Sequence, residues 1–197
     1  MKKWFTPQRL MGIFIIFIMV SSVGGFILSY QDTTNTPTIQ DSYNGFNIDT
    51  TSEGFYKIKV QGQEFLFISH PSDFESSQLS QEFLKALESK NVQISYDATA
   101  NESTTLILAD MQYYLEQVFT NQKYIVIRGT NDRAKTPTLP KITCNDAKTQ
   151  NPVVFITRAG IESLNPNCLI ILGETQQQIQ KRTEQLAYKV LGVTKEQ

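Results

Sequence analysis

The sequence has few of the residues from which metal and nucleic-acid sites are commonly built. Its 197 residues include 2 Cys and 1 His, which cannot supply the four ligands of a usual zinc site without carboxylate help. The chain carries 18 Lys+Arg against 19 Asp+Glu, and this balance argues against a general nucleic-acid binder. With 10 Gly, 7 Pro and 40% hydrophobic residues, it is not collagen, a disulfide-dense miniprotein or a disordered chain.

Catalytic motifs are lacking as well. Neither G-x-S-x-G nor S-x-x-K occurs between a predicted strand and a predicted helix, so the sequence assigns no catalytic residue, no cofactor and no metal. His70 would be the natural general base for a Ser or Cys nucleophile. Because it stands at a strand end in the run His-Pro-Ser-Asp, we expect instead a turn residue whose ring hydrogen-bonds locally.

What the sequence does contain is a long apolar run near its start. Residues 12–30 carry no charge and follow the cations Lys2, Lys3 and Arg9. A helix of this length spans roughly 28 Å, close to the hydrocarbon core of a bilayer at about 30 Å. The leading cations hold the N-terminus in the cytoplasm. The prediction is a single-pass signal anchor in residues 1–30 that contacts the lipid bilayer through residues 12–30 and exports the remainder of the chain.

Two other interpretations of this segment stay open. A cleaved secretory signal would have its apolar core at residues 10–20, followed by small residues, and would export residues 31–197 equally. A prepilin leader would end at Gly12, but pilins usually carry Glu where this chain has Phe17. The anchor is favoured because the apolar run continues beyond the usual length of a signal-peptide core.

The exported part contains both cysteines and one glycosylation sequon. Cys144 and Cys168 lie where an oxidising compartment would let them pair, and a closed loop of this length stabilises a fold by roughly 3.5 kcal/mol in the chain-entropy model. Two unpaired structural thiols are the alternative. Asn101, in Asn-Glu-Ser, is a possible glycan acceptor on the outer side of a membrane.

The pattern after the apolar run predicts an α/β (or α+β) fold. Residues 31–42 form a flexible stalk, and residues 43–197 form one exported globular domain. Residues 44–69 alternate as an antiparallel meander of two or three strands, and Ser80 caps a helix that reaches residue 90. Strand 92–96, helix 105–119 and strand 124–127 predict a βαβ unit with a parallel pair and a right-handed crossover.

The C-terminal third predicts a long loop and the centre of the sheet. Residues 128–152 form the loop, while the apolar runs 153–156 and 169–172 read as central strands covered on both faces. Thr175 caps a last helix that Gly192 ends. The complete prediction is a mixed sheet of six or seven strands with an N-terminal meander, a βαβ unit and a C-terminal helix.

One group of residues is a possible ligand site. Gly129, Asn131 and Asp132 follow an apolar strand and Asp97 ends another, which is where α/β sheets place ligands. The group lacks the further glycines of a dinucleotide fingerprint and the Lys of a phosphate loop. Solvent-exposed acids are the simpler interpretation.

Several motifs carry a resemblance. The run YNGF at 43–46, the run CLIILG at 168–173 and the run LAYKVLG at 186–192 resemble those of uncharacterised single-span archaeal membrane-anchored envelope proteins. The resemblance implies a cell-envelope location and an archaeal origin, and it transfers no catalytic residue. In that group a Cys precedes the apolar tail strand, as Cys144 does here, which agrees with the disulfide.

Two functions follow as hypotheses. The first is a non-enzymatic, membrane-tethered extracytoplasmic binding or assembly module that contacts another envelope protein and no nucleic acid. The alternative is an extracytoplasmic hydrolase or small-ligand receptor that uses the 128–152 loop and the strand ends near Asp97 and Gly129. A deep polar pocket at those strand ends would favour the alternative.

Overall fold

The computed structural model describes residues 40–75, 79–160 and 164–194. The predicted membrane span at 12–30 and stalk residues 31–39 lie outside this part of the chain. Within the described residues, none of the helices combines the length and the apolar character that crossing a bilayer requires.

Residues 40–67 form an antiparallel sheet. Its strands are β1 (Gln40–Tyr43), β2 (Phe46–Thr50), β3 (Tyr56–Val60) and β4 (Gln63–Phe67), each paired with the next along the chain. In two of its turns, Asn44-Gly45 and Gln61-Gly62, both residues have positive φ, as type I′ hairpins require. The predicted antiparallel meander is confirmed, although it has four strands where two or three were expected. Residues 40–42 of the predicted stalk belong to the sheet, since they pair with β2.

The remaining strands form a parallel sheet. They are β5 (Asn91–Tyr96), β6 (Ile125–Thr130), β7 (Val153–Thr157) and β8 (Cys168–Leu172), in the order β6-β5-β7-β8. β5 and β6 are a parallel pair joined through a helix, so the predicted βαβ unit is present. β7 is buried throughout, as its apolar run predicts.

The described residues contain three α-helices, each capped at its N-terminus by a side chain. They are α1 (Gln81–Leu87), α2 (Glu102–Asn121) and α3 (Gln176–Val190). Ser80, Asn101 and Thr175 each accept a backbone N–H from the first turn at 2.9–3.3 Å, which satisfies donors that a helix leaves unpaired. Ser80 and Thr175 are the caps that the sequence predicts, and Gly192 ends the last helix with a φ of 75°.

Helices α2 and α3 lie between the two sheets. On one side, the ring of Phe67 in β4 stacks on Tyr188 of α3 at 3.9 Å and meets Tyr114 of α2 edge-on at 6.2 Å. On the other side, α2 contacts β5, β6 and β7, and α3 contacts β8. One apolar cluster therefore runs from the antiparallel sheet through the helices to the parallel sheet.

The prediction of one mixed sheet of six or seven strands is wrong, because the described strands form two separate four-stranded sheets. The apolar face of the meander, which includes Ile58 and Phe65, packs on the helices rather than extending the parallel sheet. Either arrangement buries that same face, so alternation along the strands cannot distinguish them. β8 is correspondingly an edge strand and not a central one.

Candidate functional site

Polar side chains converge where β5, β6 and β7 end. β5 connects through α2 to β6 on one side, whereas β7 connects to β8 on the other side. The strand order therefore reverses between β5 and β7, and such a point opens a crevice at the carboxyl ends of the strands. We define the strand-end cluster as the polar residues at this point: Asp97, Thr99, Asn131, Thr157 and Arg158.

Asp97 is the centre of the strand-end cluster. Its side chain is 5% exposed, and its Oδ1 accepts the Thr99 N–H at 2.9 Å, the Thr99 hydroxyl at 2.6 Å and the Asn131 amide at 2.7 Å. Its Oδ2 accepts the Thr157 hydroxyl at 3.2 Å. Burial raises the pKa of Asp97, but the hydrogen bonds from Thr99, Asn131 and Thr157 outweigh burial and hold the pKa below its ordinary value.

Asn131 joins two strand ends. Its Oδ1 accepts the Ala98 N–H at 2.8 Å while its amide donates to Asp97, and its backbone N–H donates to the Tyr96 carbonyl at 3.1 Å. The predicted residues Asp97 and Asn131 are thus in direct contact. Their polar atoms bond the strand ends to one another, which holds the edge of the crevice in one shape.

Gly129 and Asp132 are not part of this contact. Gly129 allows close packing, because a Cβ at this position would lie 2.5 Å from the Ile142 side chain. Asp132 accepts the N–H of Ala134 at 2.9 Å and so closes its own turn. Of the four residues predicted for a ligand loop, the structure brings two together.

Arg158 lies at the outer side of the cluster. Its guanidinium donates to the Thr104 hydroxyl at 3.1 Å, at the start of α2, and to the Glu174 carbonyl. Thr99, Thr157 and Arg158 are residues that the sequence analysis missed. The available signal was their position: Thr157 is the last residue of the apolar strand β7, and Thr99 and Arg158 follow β5 and β7 within three residues.

The strand-end cluster places the hydroxyls of Thr99 and Thr157 at 2.6 and 3.2 Å from the Asp97 carboxylate, to which both donate. Among the described residues, no three His, Cys, Asp or Glu side chains group as metal ligands. The Asp97 carboxylate accepts three hydrogen bonds at Oδ1 and one at Oδ2, and these bonds tie the ends of β5, β6 and β7 together.

The predicted long loop folds back over the open face of the parallel sheet. Ile142 and Ala147 pack there on Val153 and Phe155, and the loop returns to β6 where Thr130 bonds Pro140 and Ile142. Cys144 and Cys168 form the predicted disulfide, with Cα atoms 5.4 Å apart. The bond ties this loop to β8 and leaves neither cysteine as a thiol.

Asn101 and His70 are each the N-cap residue of a helix. Asn101 is exposed and caps α2 through its Oδ1, so its Nδ2 is the atom a glycan would take. His70 caps the 3-10 helix Pro71–Phe74 and lies 2.8 Å from the Ser72 hydroxyl through Nδ1, which is the local bonding expected of it. Its Nε2 faces Asp41 at 3.5 Å without hydrogen-bond geometry.

A second buried carboxylate joins α3 to the end of β4. Glu184, 2% exposed, accepts the N–H groups of Ile68 at 2.8 Å and Ser69 at 3.0 Å. Burial raises the pKa of Glu184 above its ordinary value, and the hydrogen bonds only partly oppose that effect. Nearby, the Tyr188 hydroxyl donates to the Ser69 carbonyl at 2.7 Å, whereas the buried Tyr114 hydroxyl has no hydrogen-bond partner.

Two grooves formed by the described residues lie away from the strand-end cluster. One of about 650 Å³ is lined by α1, α3 and Tyr124. The other, of about 450 Å³, lies between the 3-10 helix Pro71–Phe74, β8 and α3. Comparison of the chain with protein families, curated proteins and solved structures finds no match.

Proposed function

We propose that the protein is a membrane-tethered, extracytoplasmic binding or assembly module of the cell envelope and not an enzyme. The observation that carries the proposal is the open edge of the parallel sheet. β6 is an edge strand, and its Ile125 and Ile127 are 67% and 47% exposed. An exposed apolar edge strand pairs readily with another chain.

The placement outside the membrane draws on two further observations. The Cys144–Cys168 disulfide fits an oxidising compartment, because thiols in the cytosol are usually kept reduced. The apolar run at residues 12–30 after three cations fits a signal anchor. Together they support an N-terminus in the cytoplasm and a domain on the outer side, where an envelope protein is the expected partner.

The alternative, a hydrolase or small-ligand receptor at the strand ends, receives less support. The carboxylate of Asp97 and the amide of Asn131 are bonded to each other and to backbone groups. A ligand there would have to displace these bonds, and leaving a buried carboxylate unsatisfied is costly.

The test is photo-crosslinking of the full chain in membranes of the source organism. A photoreactive residue replaces Ile125, and the matched control carries it at Lys59, an exposed position in the non-edge strand β3. We expect the chain to stay in carbonate-washed membranes and to form an adduct with an envelope protein from position 125 only. Recovery from the cytosol, or equal labelling from both positions, would contradict the proposal.

A further inference from the structure

The single N-glycosylation sequon of the chain lies where β5 leads into α2. Asn101-Glu102-Ser103 is the only Asn-x-Ser/Thr run in the sequence. In the structure Asn101 is the N-cap residue of α2, and all three residues of the sequon are exposed. Because a transferase can modify an asparagine only where it reaches the side chain at the surface, the fold presents this sequon in an accessible form.

The hydrogen bonds at the start of α2 identify which amide atom of Asn101 is free. The Thr104 backbone N–H and the Ser103 hydroxyl each donate to the same side-chain atom of Asn101 at 2.9 Å. A backbone N–H can only donate, so the atom that receives it is Oδ1 and the remaining atom is Nδ2. Among the described residues, none accepts a hydrogen bond from Nδ2. The nitrogen that carries the sugar in N-glycosylation is therefore the unbonded atom of this side chain.

Capping alone does not explain why position 101 is an asparagine. Ser80 and Thr175 cap the other two α-helices of the described chain through a hydroxyl. An aspartate would accept the bonds from Ser103 and Thr104 equally well, and its negative charge would suit a helix N-terminus better. What an asparagine adds to a cap is the amide nitrogen. Since a glycan bound to that nitrogen leaves Oδ1 unchanged, the side chain can carry the glycan and still cap the helix.

We propose that the protein is N-glycosylated at Asn101. In the transfer, Nδ2 loses a proton and bonds the anomeric carbon of the first sugar. The bond from that carbon to the phosphate of a lipid-linked saccharide donor breaks, and the phosphate leaves with its lipid. A separate transferase supplies the catalysis. The inference rests on the proposed function in one respect, because sequons are glycosylated in exported chains and the described domain is proposed to lie outside the membrane.

A glycan at Asn101 leaves the proposed partner edge open. In the parallel pair of β5 and β6, Asn91 lies opposite Ile125, so Ile125 is at the amino ends of these strands. Asn101 comes after Tyr96, the last residue of β5, and so lies beyond the carboxyl ends. A strand of this length separates its two ends by about 17 Å. The glycan is therefore attached at the end of the sheet that holds the strand-end cluster, away from the exposed Ile125.

The test is mass spectrometry of the full chain purified from membranes of the source organism, as wild type and as three variants. Asn101→Asp keeps an oxygen that caps α2 and removes the nitrogen that carries the glycan. Ser103→Ala removes the hydroxyl of the sequon, whereas Ser103→Thr keeps a hydroxyl there and is the matched control. We expect the peptide that contains residue 101 to carry a glycan in the wild type and in Ser103→Thr, with occupancy at least about tenfold lower in Asn101→Asp and Ser103→Ala.

An unmodified Asn101 in the wild type would overturn the inference, as would a glycan that persists in Asn101→Asp. Labelling of Lys59→Cys, at an exposed position, by a membrane-impermeant maleimide in intact cells separates this failure from a failure of the proposed function. An unmodified chain that is labelled without lysis refutes the glycan alone. An unmodified chain that is labelled only after lysis refutes both the glycan and the placement outside the membrane.

Discussion

Two buried carboxylates each bond separate elements of this domain to one another, and their pKa values are shifted in opposite directions. Asp97 and Glu184 are 5% and 2% exposed, and each accepts backbone N–H groups. Burial raises the pKa of both groups, yet the pKa of Asp97 ends below its ordinary value and that of Glu184 above it. Side chains of Thr99, Asn131 and Thr157 donate to Asp97, whereas the donors to Glu184 are the backbone N–H groups of Ile68 and Ser69 and the side chains of Ser69 and Gln180. Hydrogen bonds outweigh burial at Asp97 and burial outweighs hydrogen bonds at Glu184, so the balance of the two effects, and not burial alone, sets the pKa of a buried acid.

Of the substitutions considered, removal of the Asp97 carboxylate is expected to have the largest effect on stability. Asp97→Ala leaves the donors of Thr99, Asn131 and Thr157 without their acceptor, and we expect the free energy of unfolding to fall by about 3 kcal/mol. Urea denaturation measures it. Asp110→Ala, an exposed position on α2, is the control and should change stability by less than about 0.5 kcal/mol. Similar losses of unfolding free energy in the two variants would show that the strand-end cluster does not hold the strand ends together.

Replacing each acid by its isosteric amide compares the stability that the two carboxylates contribute with little change in side-chain size. Asp97→Asn should cost about 2 kcal/mol, because the new NH₂ faces donors in a site built for an anion. Glu184→Gln should cost about 1 kcal/mol or less at neutral pH, since losing one acceptor is offset by no longer burying a charge. Both values come from the same denaturation series, and a larger loss for Glu184→Gln would reverse the ranking of the two sites.

The pH dependence of the free energy of unfolding should distinguish Glu184 from Asp97, because their pKa values are shifted in opposite directions. Glu184 has a raised pKa, so its stabilising contribution is complete below the unfolded value of 4.5 and is lost as pH rises through the folded value. Asp97 has a lowered pKa, so its contribution is complete above 3.8 and is lost as pH falls through the folded value. On acidification from about pH 7 to about pH 5, wild type should gain stability relative to Glu184→Gln and not relative to Asp97→Asn. Parallel pH profiles for the three proteins would contradict this.

The smallest effects concern the two tyrosines near Glu184. Tyr188→Phe loses the bond to the Ser69 carbonyl and should cost about 1 kcal/mol. Tyr114→Phe removes a buried hydroxyl without a partner and should leave stability unchanged or raise it by up to about 1 kcal/mol. Thermal unfolding of the pair provides the readout, and a loss of the same size from both would show that Tyr114 is bonded after all.

The sequence predicts the elements of the described domain well because their signals are local. Ser80, Thr175 and Gly192 mark helix ends by their own chemistry, and the alternation around Ile58 marks a strand. The separation into two sheets could not be predicted, because it depends on which layer covers the meander. The N-cap role of Asn101 was missed, since the helix was expected to begin only at Thr105.

The candidate site was predictable in part. Their position after apolar strands made Asp97 and Asn131 a possible site, but the simpler interpretation of solvent-exposed acids is wrong for Asp97, which is 5% exposed. Their contact with Thr157 depends on β7 lying beside β5, and such non-local pairing leaves no mark in a single sequence. The sequence placed Gly129 in a possible ligand site. In the structure, the lack of a side chain at Gly129 lets the Ile142 side chain pack against its backbone.

The proposed function depends most on two proposals, that the N-terminal segment enters a membrane and that the described domain lies on its outer side. Lys59→Cys places a single reactive thiol at an exposed strand position, because both native cysteines are in the disulfide. Treating intact cells that make the full chain with a membrane-impermeant maleimide tests this claim directly. The account predicts labelling without lysis, on a protein that sediments with membranes; labelling only after lysis would contradict it.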